Sequence, residues 1–259
     1  MSSARVAHHF TQAGQTEEAI EWWSKAGDQA RRRFAFAEAI AHLGRAIDLA
    51  GALPDEPERR LARLRLQIAY ANAHLHARGP PEPTAAFARA REIAAEVVGA
   101  PERFSAYYGL WVSHCVRGDL ASAREVAEAA LRDIIGQPGS SEASMVYRAL
   151  GMTCYAEGHY LDSRTNLEQS LACYSPDQDR GMVWFGVDTG VATMVWLVIS
   201  VWALGEIERA CRLAEDLLVR AEQMGHVPTL VYAHSILCTF EAVRRDADRV
   251  LAHAVSARI

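Results

Sequence analysis

Apolar residues recur at helical spacing almost throughout the chain, as in Leu61, Leu64, Ile68 and Leu75, and alternating strand patterns of any length are absent. The pattern predicts an all-α protein. Breakers fall at 51–57 (GALPDEP), 79–83 (GPPEP), 99–101, 136–141 (GQPGSS), 175–181 and 225–228. They delimit helices at 2–13, 16–30, 34–50, 56–78, 82–98, 101–117, 119–135, 140–157, 160–174, 189–204, 206–224 and 228–243, with a last partial helix from 246.

The segment from Gly118 to Leu131, GDLASAREVAEAAL, recurs in altered form. A turn residue, a small residue five later and another seven beyond give Gly14/Ala19/Ala26, Gly118/Ala123/Ala130 and Gly158/Ser163/Ser170. Gly205/Ala210 is followed by Leu217, and Ala39/Ala46 is preceded by Phe34 in place of glycine. Two antiparallel helices need a residue tolerant of positive φ between them, and small side chains where the second crosses the first. The grammar therefore predicts a right-handed α-solenoid of antiparallel helical hairpins with tetratricopeptide-like repeats. Gly118 and Gly158 are 40 residues apart, more than the ~34 of a strict tetratricopeptide repeat, which puts the excess into longer helices or loops. We expect one array over 1–259, about six hairpins plus a partial one, as a piece of a longer array. Neither end reads as a polar cap, which predicts self-association through exposed apolar seam.

Composition adds limits rather than a function. With 50% hydrophobic and 23% charged residues the chain is compositionally an ordinary folded protein, and a net charge of −5 argues against nucleic acid as partner. The basic run Arg31-Arg32-Arg33 reads as a solvated helix end. Five cysteines (Cys115, Cys154, Cys173, Cys211, Cys238) form no CxxC pair and are odd in number, which suits reduced thiols and a cytoplasmic location. The N-terminus lacks the apolar run of a signal peptide, so secretion is not expected. Thr189 to Gly205 is 17 residues without a charge, just short of the ~18–20 of a membrane span. Because it runs into Gly205-Glu206, the repeat's own turn, it is expected to be a buried hairpin helix, with no membrane partner.

No phosphate loop, GxGxxG, HExxH or GxSxG motif occurs. His8-His9 and His114-Cys115 are adjacent pairs whose side chains diverge by ~100° on a helix, and His74 and His76 have no ligand companions at metal spacing. Asp162, Glu168, Asp216 and Glu222 lie beside Arg164, Arg212 and Arg220, as on solvated faces. No catalytic, cofactor-binding or metal-ligating residue is expected. The aromatic residues Phe10, Trp23, Tyr107, Trp111, Tyr147 and Trp202 are expected in the seams between hairpins. First helices line a solenoid's groove, which makes Tyr108, Val112, Met145, Arg148, Met152 and Tyr155 the candidate contacts for a protein or peptide partner.

Longer phrases carry a family resemblance. RVAHHFTQAGQTEEAIEWWSKAGDQA, then FAEAIAHLGRAIDL and LPDEPER, ARGPPEP before FARAREIA, and FGVDTGVATMVWLVISVWALGEIERA before MGHVPTL together resemble the repeat region of bacterial proteins that join a class III adenylate/guanylate cyclase domain, an AAA-type ATPase and tetratricopeptide-like repeats. The resemblance covers nearly the whole chain. It implies a non-catalytic sensor or partner-binding arm that regulates a cyclase or ATPase, the nucleotide chemistry belonging to upstream domains. It carries over no catalytic residue. Two alternatives stand beside that reading: the C-terminal part of a multidomain cyclase, and a sensor arm that takes a small ligand inside the solenoid.

Overall fold

A computed structural model describes residues 2–77, 82–97, 102–134, 141–175 and 187–257. They form thirteen helices and, among the described residues, no strand: α1 (Ser3–Gln12), α2 (Thr16–Arg32), α3 (Phe36–Ala52), α4 (Pro57–His76), α5 (Glu82–Ala95), α6 (Glu102–Val116), α7 (Leu120–Ile134), α8 (Ser141–Ala156), α9 (Tyr160–Cys173), α10 (Thr189–Ala203), α11 (Ile207–Met224), α12 (Val227–Arg244) and α13 (Ala247–Ser256). The chain divides into two compact units, Met1–Val126 and Ala127–Ile259.

The hairpin turns are built alike. Gly14, Phe34, Gly118, Gly158 and Gly205 all have positive φ, between 60° and 83°. Around each, an amide reaches back five residues to the last turn of the preceding helix: Gln15 N–H to Phe10 O (3.0 Å), Ala35 to Ala30 (2.9 Å), Asp119 to His114 (3.0 Å), His159 to Cys154 (2.8 Å) and Glu206 to Val201 (3.0 Å). This is the helix-terminating bond of a left-handed C-cap. Phe34 therefore does the work of glycine at the cost of a left-handed backbone, with its ring exposed. A sixth copy escapes the sequence pattern: Arg245 has φ 63°, and Asp246 N–H reaches Glu241 O at 3.0 Å.

The small residues are where the pattern needs them. Ala19, Ala39, Ala123, Ser163 and Ala210 have no exposed surface, and Ala26, Ala46, Ala130 and Ser170 are buried, as is Leu217, which fills the same slot with a large residue in the Gly205 copy. Close crossing also shows in a pairing of residues sixteen apart, one large and one small, that the repeat reading overlooked. Gly27 lies so near Leu43 that an added Cβ would sit 2.5 Å from its Cγ, and Gly151 faces Leu167 in the same way at 2.6 Å. Ala7 with Trp23 repeats that order, Val198 with Ala214 occupies the same two positions with the sizes exchanged, and all four are buried. In each pair one residue is smaller than its partner, as close packing at a helix crossing requires.

The first unit's main core is accordingly rich in alanine: Ala7, Ala19, Ala26, Ala30, Ala39 and Ala46 close around Trp23, Leu43 and Leu66. In the second, the uncharged stretch is α10, buried on nearly every side, and Val191, Val195, Val198 and Val201 pack with Leu167, Leu217, Leu237 and Phe240. The two serines of the Gly158 repeat add a polar seam. Ser163 Oγ donates to Gly151 O and lies 2.8 Å from Ser200 Oγ, while Ser170 Oγ donates to Ser144 O (2.7 Å) and lies 3.0 Å from Thr193 Oγ1. These bonds tie α8, α9 and α10 together and satisfy hydroxyls that water does not reach.

Asp188 caps α10, accepting from Val191 N–H at 2.8 Å. Its other carboxylate oxygen accepts the Tyr174 hydroxyl at 2.6 Å, and its own amide donates to Thr229 Oγ1 at 3.0 Å, so one residue joins the ends of α9, α10 and α12. Burial, then the Asp188 carboxylate, push the Tyr174 phenol up to about 12. The Arg220 guanidinium lies 4.6 Å over the same ring. On the last helix no residue is buried, and Leu251 and Val255 are exposed.

Arg31 and Arg33 end α2 as solvated residues, paired with Asp28 and Glu38, and at that end they oppose the helix dipole's negative pole. Of the aromatic residues expected in seams, Trp23 and Trp111 are buried, Phe10 and Trp202 pack half-buried against the cores, and Tyr107 and Tyr147 are half-buried.

Candidate partner-binding surfaces

In the first unit, Tyr108 and Val112 stand one turn apart on α6, both half-buried. The Tyr108 ring leans on buried Trp111, with centroids 5.2 Å apart, which fixes its orientation.

In the second unit, Met145, Arg148, Met152 and Tyr155 are spaced by three, four and three residues along α8 and share one face. They differ in depth. Met145 is 2% and Arg148 5% exposed, whereas Met152 and Tyr155 are half-buried. The accessible part of this face is therefore its C-terminal end. There Tyr155 meets Tyr160 and Trp196, each at a centroid distance of 5.5 Å, the Trp196 ring edge-on. Burial, followed by the neighbouring Tyr160, raises the Tyr155 phenol's pKa. The Trp196 indole N–H is buried and makes no hydrogen bond.

Tyr160 and Trp196 were missed from sequence for an identifiable reason. Trp196 lies in the uncharged stretch of α10, where no charged residue marks which side faces out and the polar Thr193 and Ser200 are themselves buried. Tyr160 follows the Gly158 turn by two residues, in a position that the repeat pattern leaves open. The acidic residues read as solvated faces partly join hairpins instead. Arg209 bonds Glu168 at 2.5 Å and Glu206 at 3.0 Å, and Arg164 bonds Glu206 as well. These bonds pull the Glu206 carboxyl below its ordinary range, Arg209 contributing most. Such exposed pairs contribute little, because solvent screens them.

Among the described residues no group of three His, Cys, Asp or Glu side chains is placed to hold a metal ion. The His8 and His9 rings are 6.5 Å apart and tilted, His76 stacks on Phe36 at 5.4 Å, and His114 Nδ1 lies 3.2 Å from Asp119 Oδ2. Burial pushes the Cys115 thiol up to about 12, the opposite of a reactive thiolate. Among the described residues no helix is long and apolar enough to cross a membrane.

No family profile and no curated protein matches the chain. Solved structures do. NprR in complex with its cognate peptide NprX superposes with a TM-score of 0.64 at 15% identity, over 94% of this chain and 67% of that one. The apo quorum sensor NprR from B. thuringiensis gives 0.63 at 12% identity, over 97% and 79%. BtubC from P. vanneervenii gives 0.62 at 16% identity, over 86% and 85%. The fold is a tetratricopeptide-like helical repeat. At these identities the likeness concerns the path of the backbone.

Proposed function

We propose that this chain is a non-catalytic peptide- or protein-binding module that acts as the sensor or regulatory arm of a nucleotide-signalling system, with a cyclase or AAA-type ATPase domain as its partner. The observation that carries the binding part is the Met152–Tyr155–Tyr160–Trp196 face. Aromatic residues and methionine on a rigid helical surface are what protein contacts draw on most, because they bury much area for few frozen rotamers. The peptide bound by NprR, a structure with the same backbone path, supports a peptide as ligand. The partner part is supported by the phrases that resemble repeats attached to cyclase and ATPase domains. Those phrases also favour the stronger form, in which this chain is the C-terminal part of a multidomain cyclase.

Two experiments test the two parts. Random dodecapeptides displayed on phage are selected on the full chain, and the enriched peptides are measured by fluorescence anisotropy against the wild type and Tyr155→Ala. We expect enrichment and at least about tenfold weaker binding by the variant, or ~1.4 kcal/mol. No enrichment over a bare surface, or unchanged affinity in both Tyr155→Ala and Met152→Ala, overturns the binding face. An immunoblot of source cells with an antibody against residues 57–76 reads the native size. A band several-fold above 28.5 kDa is expected of a fused arm, and a band at 28.5 kDa overturns fusion.

A further inference from the structure

In the first unit α3 and α5 both pack on α4, and a wedge between them stays open as a cleft of about 350 Å³. That volume lies at the lower end of the ~300–1,000 Å³ usual for ligand sites. The floor is aliphatic, formed by Ile47, Leu66 and Ile93. The rim carries three guanidinium groups, Arg60, Arg63 and Arg89, and three carboxylates, Asp55, Glu92 and Glu96. These are spent on one another. Arg60 and Arg63 bond the two Asp55 oxygens at 3.0 and 2.9 Å, Arg89 bonds Glu92 at 2.6 Å, and Arg60 Nε lies 3.4 Å from Glu96. Arg63 is further committed to the carbonyls of Ala50 and Leu53, at 2.7 and 2.8 Å. The rim is neutral overall, so it offers no net field to an ion, although the buried Nε–H groups of Arg60 and Arg63 make no hydrogen bond.

Besides those two N–H groups, a neutral side chain of the lining has capacity to spare. Gln67 is 7% exposed and gives one amide N–H to Ala86 O at 3.2 Å. Its carboxamide oxygen and second N–H make no hydrogen bond among the described residues. A carboxamide holds an acceptor and a donor side by side, which is the complement of a peptide group's own N–H and C=O. A ligand that presents a peptide group to this carboxamide replaces the solvent on it with two directed hydrogen bonds, which adds specificity. Gly51 also lines the cleft, and an added Cβ there meets nothing within 4 Å.

We propose that this cleft seats an uncharged stretch of peptide, with one aliphatic side chain on the Ile47–Leu66–Ile93 floor and one peptide group on the Gln67 carboxamide. The assignment rests on the peptide-binding reading above and says which peptide chemistry the first unit selects: a neutral, aliphatic residue in preference to an ionic one.

The test is methyl NMR on the full chain, labelled at isoleucine, leucine and methionine, titrated with the blocked tripeptides acetyl-Ala-X-Ala-amide, X being Leu, Glu or Lys. The Leu peptide is expected to shift the Ile47, Leu66 and Ile93 methyls saturably, at least about tenfold more tightly than the Glu or Lys peptide. Gly51→Trp fills the cleft from a position with room for it, and Gln67→Leu removes the carboxamide. Each is expected to weaken the Leu peptide at least about tenfold, with the remaining methyl resonances and the melting temperature of Gly51→Trp unchanged. Silence at the three floor methyls, a preference for a charged X, or undiminished binding by both variants overturns the assignment. Shifts confined to the Met152 methyl overturn it as well while leaving the peptide-binding reading standing.

Discussion

Gly109→Ala sets two physical effects against each other with opposite signs. Gly109 is in the interior of α6 and buried, and on helix propensity alone alanine there stabilises by ~1 kcal/mol. Packing says otherwise. A Cβ at Gly109 would lie 2.0, 2.3 and 2.5 Å from three ring carbons of Phe87, which has no exposed surface. Carbon atoms rest at ~3.5–4.0 Å, so the ring must retreat by roughly 1.5 Å inside a closed core. A flat ring cannot fold away from the contact as a leucine tip can, which puts the cost near the upper end of the ~1–3 kcal/mol known for overpacking. The net expectation is a loss of ~2 kcal/mol, read by urea unfolding of the full chain and by faster hydrogen exchange in α5 and α6. Phe87→Leu alone opens a cavity and costs ~1–2 kcal/mol. With both changes the new methyl takes the vacated space, so the pair is expected to couple favourably by ~1–2 kcal/mol. Stabilisation by Gly109→Ala, or additivity within ~0.5 kcal/mol, refutes the reasoning.

Phe34→Gly relieves a left-handed backbone that costs an L-residue ~1–2 kcal/mol and gives up little burial, since the ring is 79% exposed. After ~0.5–1 kcal/mol for glycine's greater unfolded freedom, a small gain in melting temperature is expected, and a fall refutes it. Asp188→Ala removes the α10 cap and the Tyr174 partner, for ~2–3 kcal/mol in urea unfolding. Asp188→Asn keeps a capping acceptor and is expected to cost less, while the Tyr174 phenol moves down from about 12 in an absorbance titration. His42, His76, His234 and His253 all have pKa values held below 6.5, first by burial. Their folded forms prefer the neutral ring, so stability is complete above 6.5 and falls as pH drops through 6.5 toward the folded values. His234 and His253 face each other Nδ1 to Nδ1 at 3.0 Å and share one proton there, with Glu222 and Glu241 opposing the shift and Arg249 adding to it at His253. Melting temperature is expected to drop between pH 7 and 5.5, less steeply in His234→Gln, and a flat profile refutes it.

The sequence by itself determined the helices and where they turn. Turn chemistry and close crossing are local demands. One residue must accept positive φ, the residue five later is small, and the one twelve later is small in every copy but that of Gly205, so the spacing stays readable. Phe34 was legible as a departure because its two small followers, Ala39 and Ala46, remained. The Arg245 turn was not, because Arg245 and Val250 share neither the glycine nor the small residue with the other copies. The uncharged run from Thr189 was legible as a buried helix from its length and from the turn at its end. What it conceals is direction, since a helix apolar on every side does not mark the face on which Trp196 meets Tyr155.

Tertiary structure decided the rest because the quantities involved are sums over residues distant in sequence. The exchange of sizes between Gly27/Leu43 and Val198/Ala214 constrains two positions jointly rather than either one alone, so neither position shows a fixed letter across the copies. The depth of Met145 and Arg148, against the partial exposure of Met152 and Tyr155 on the same helix face, depends on what packs above each turn and not on their periodicity. The cleft beneath Arg60 and Gln67 exists because α3 and α5 lean on α4 without closing on each other. That gap belongs to the packing of three helices and to no single one of them.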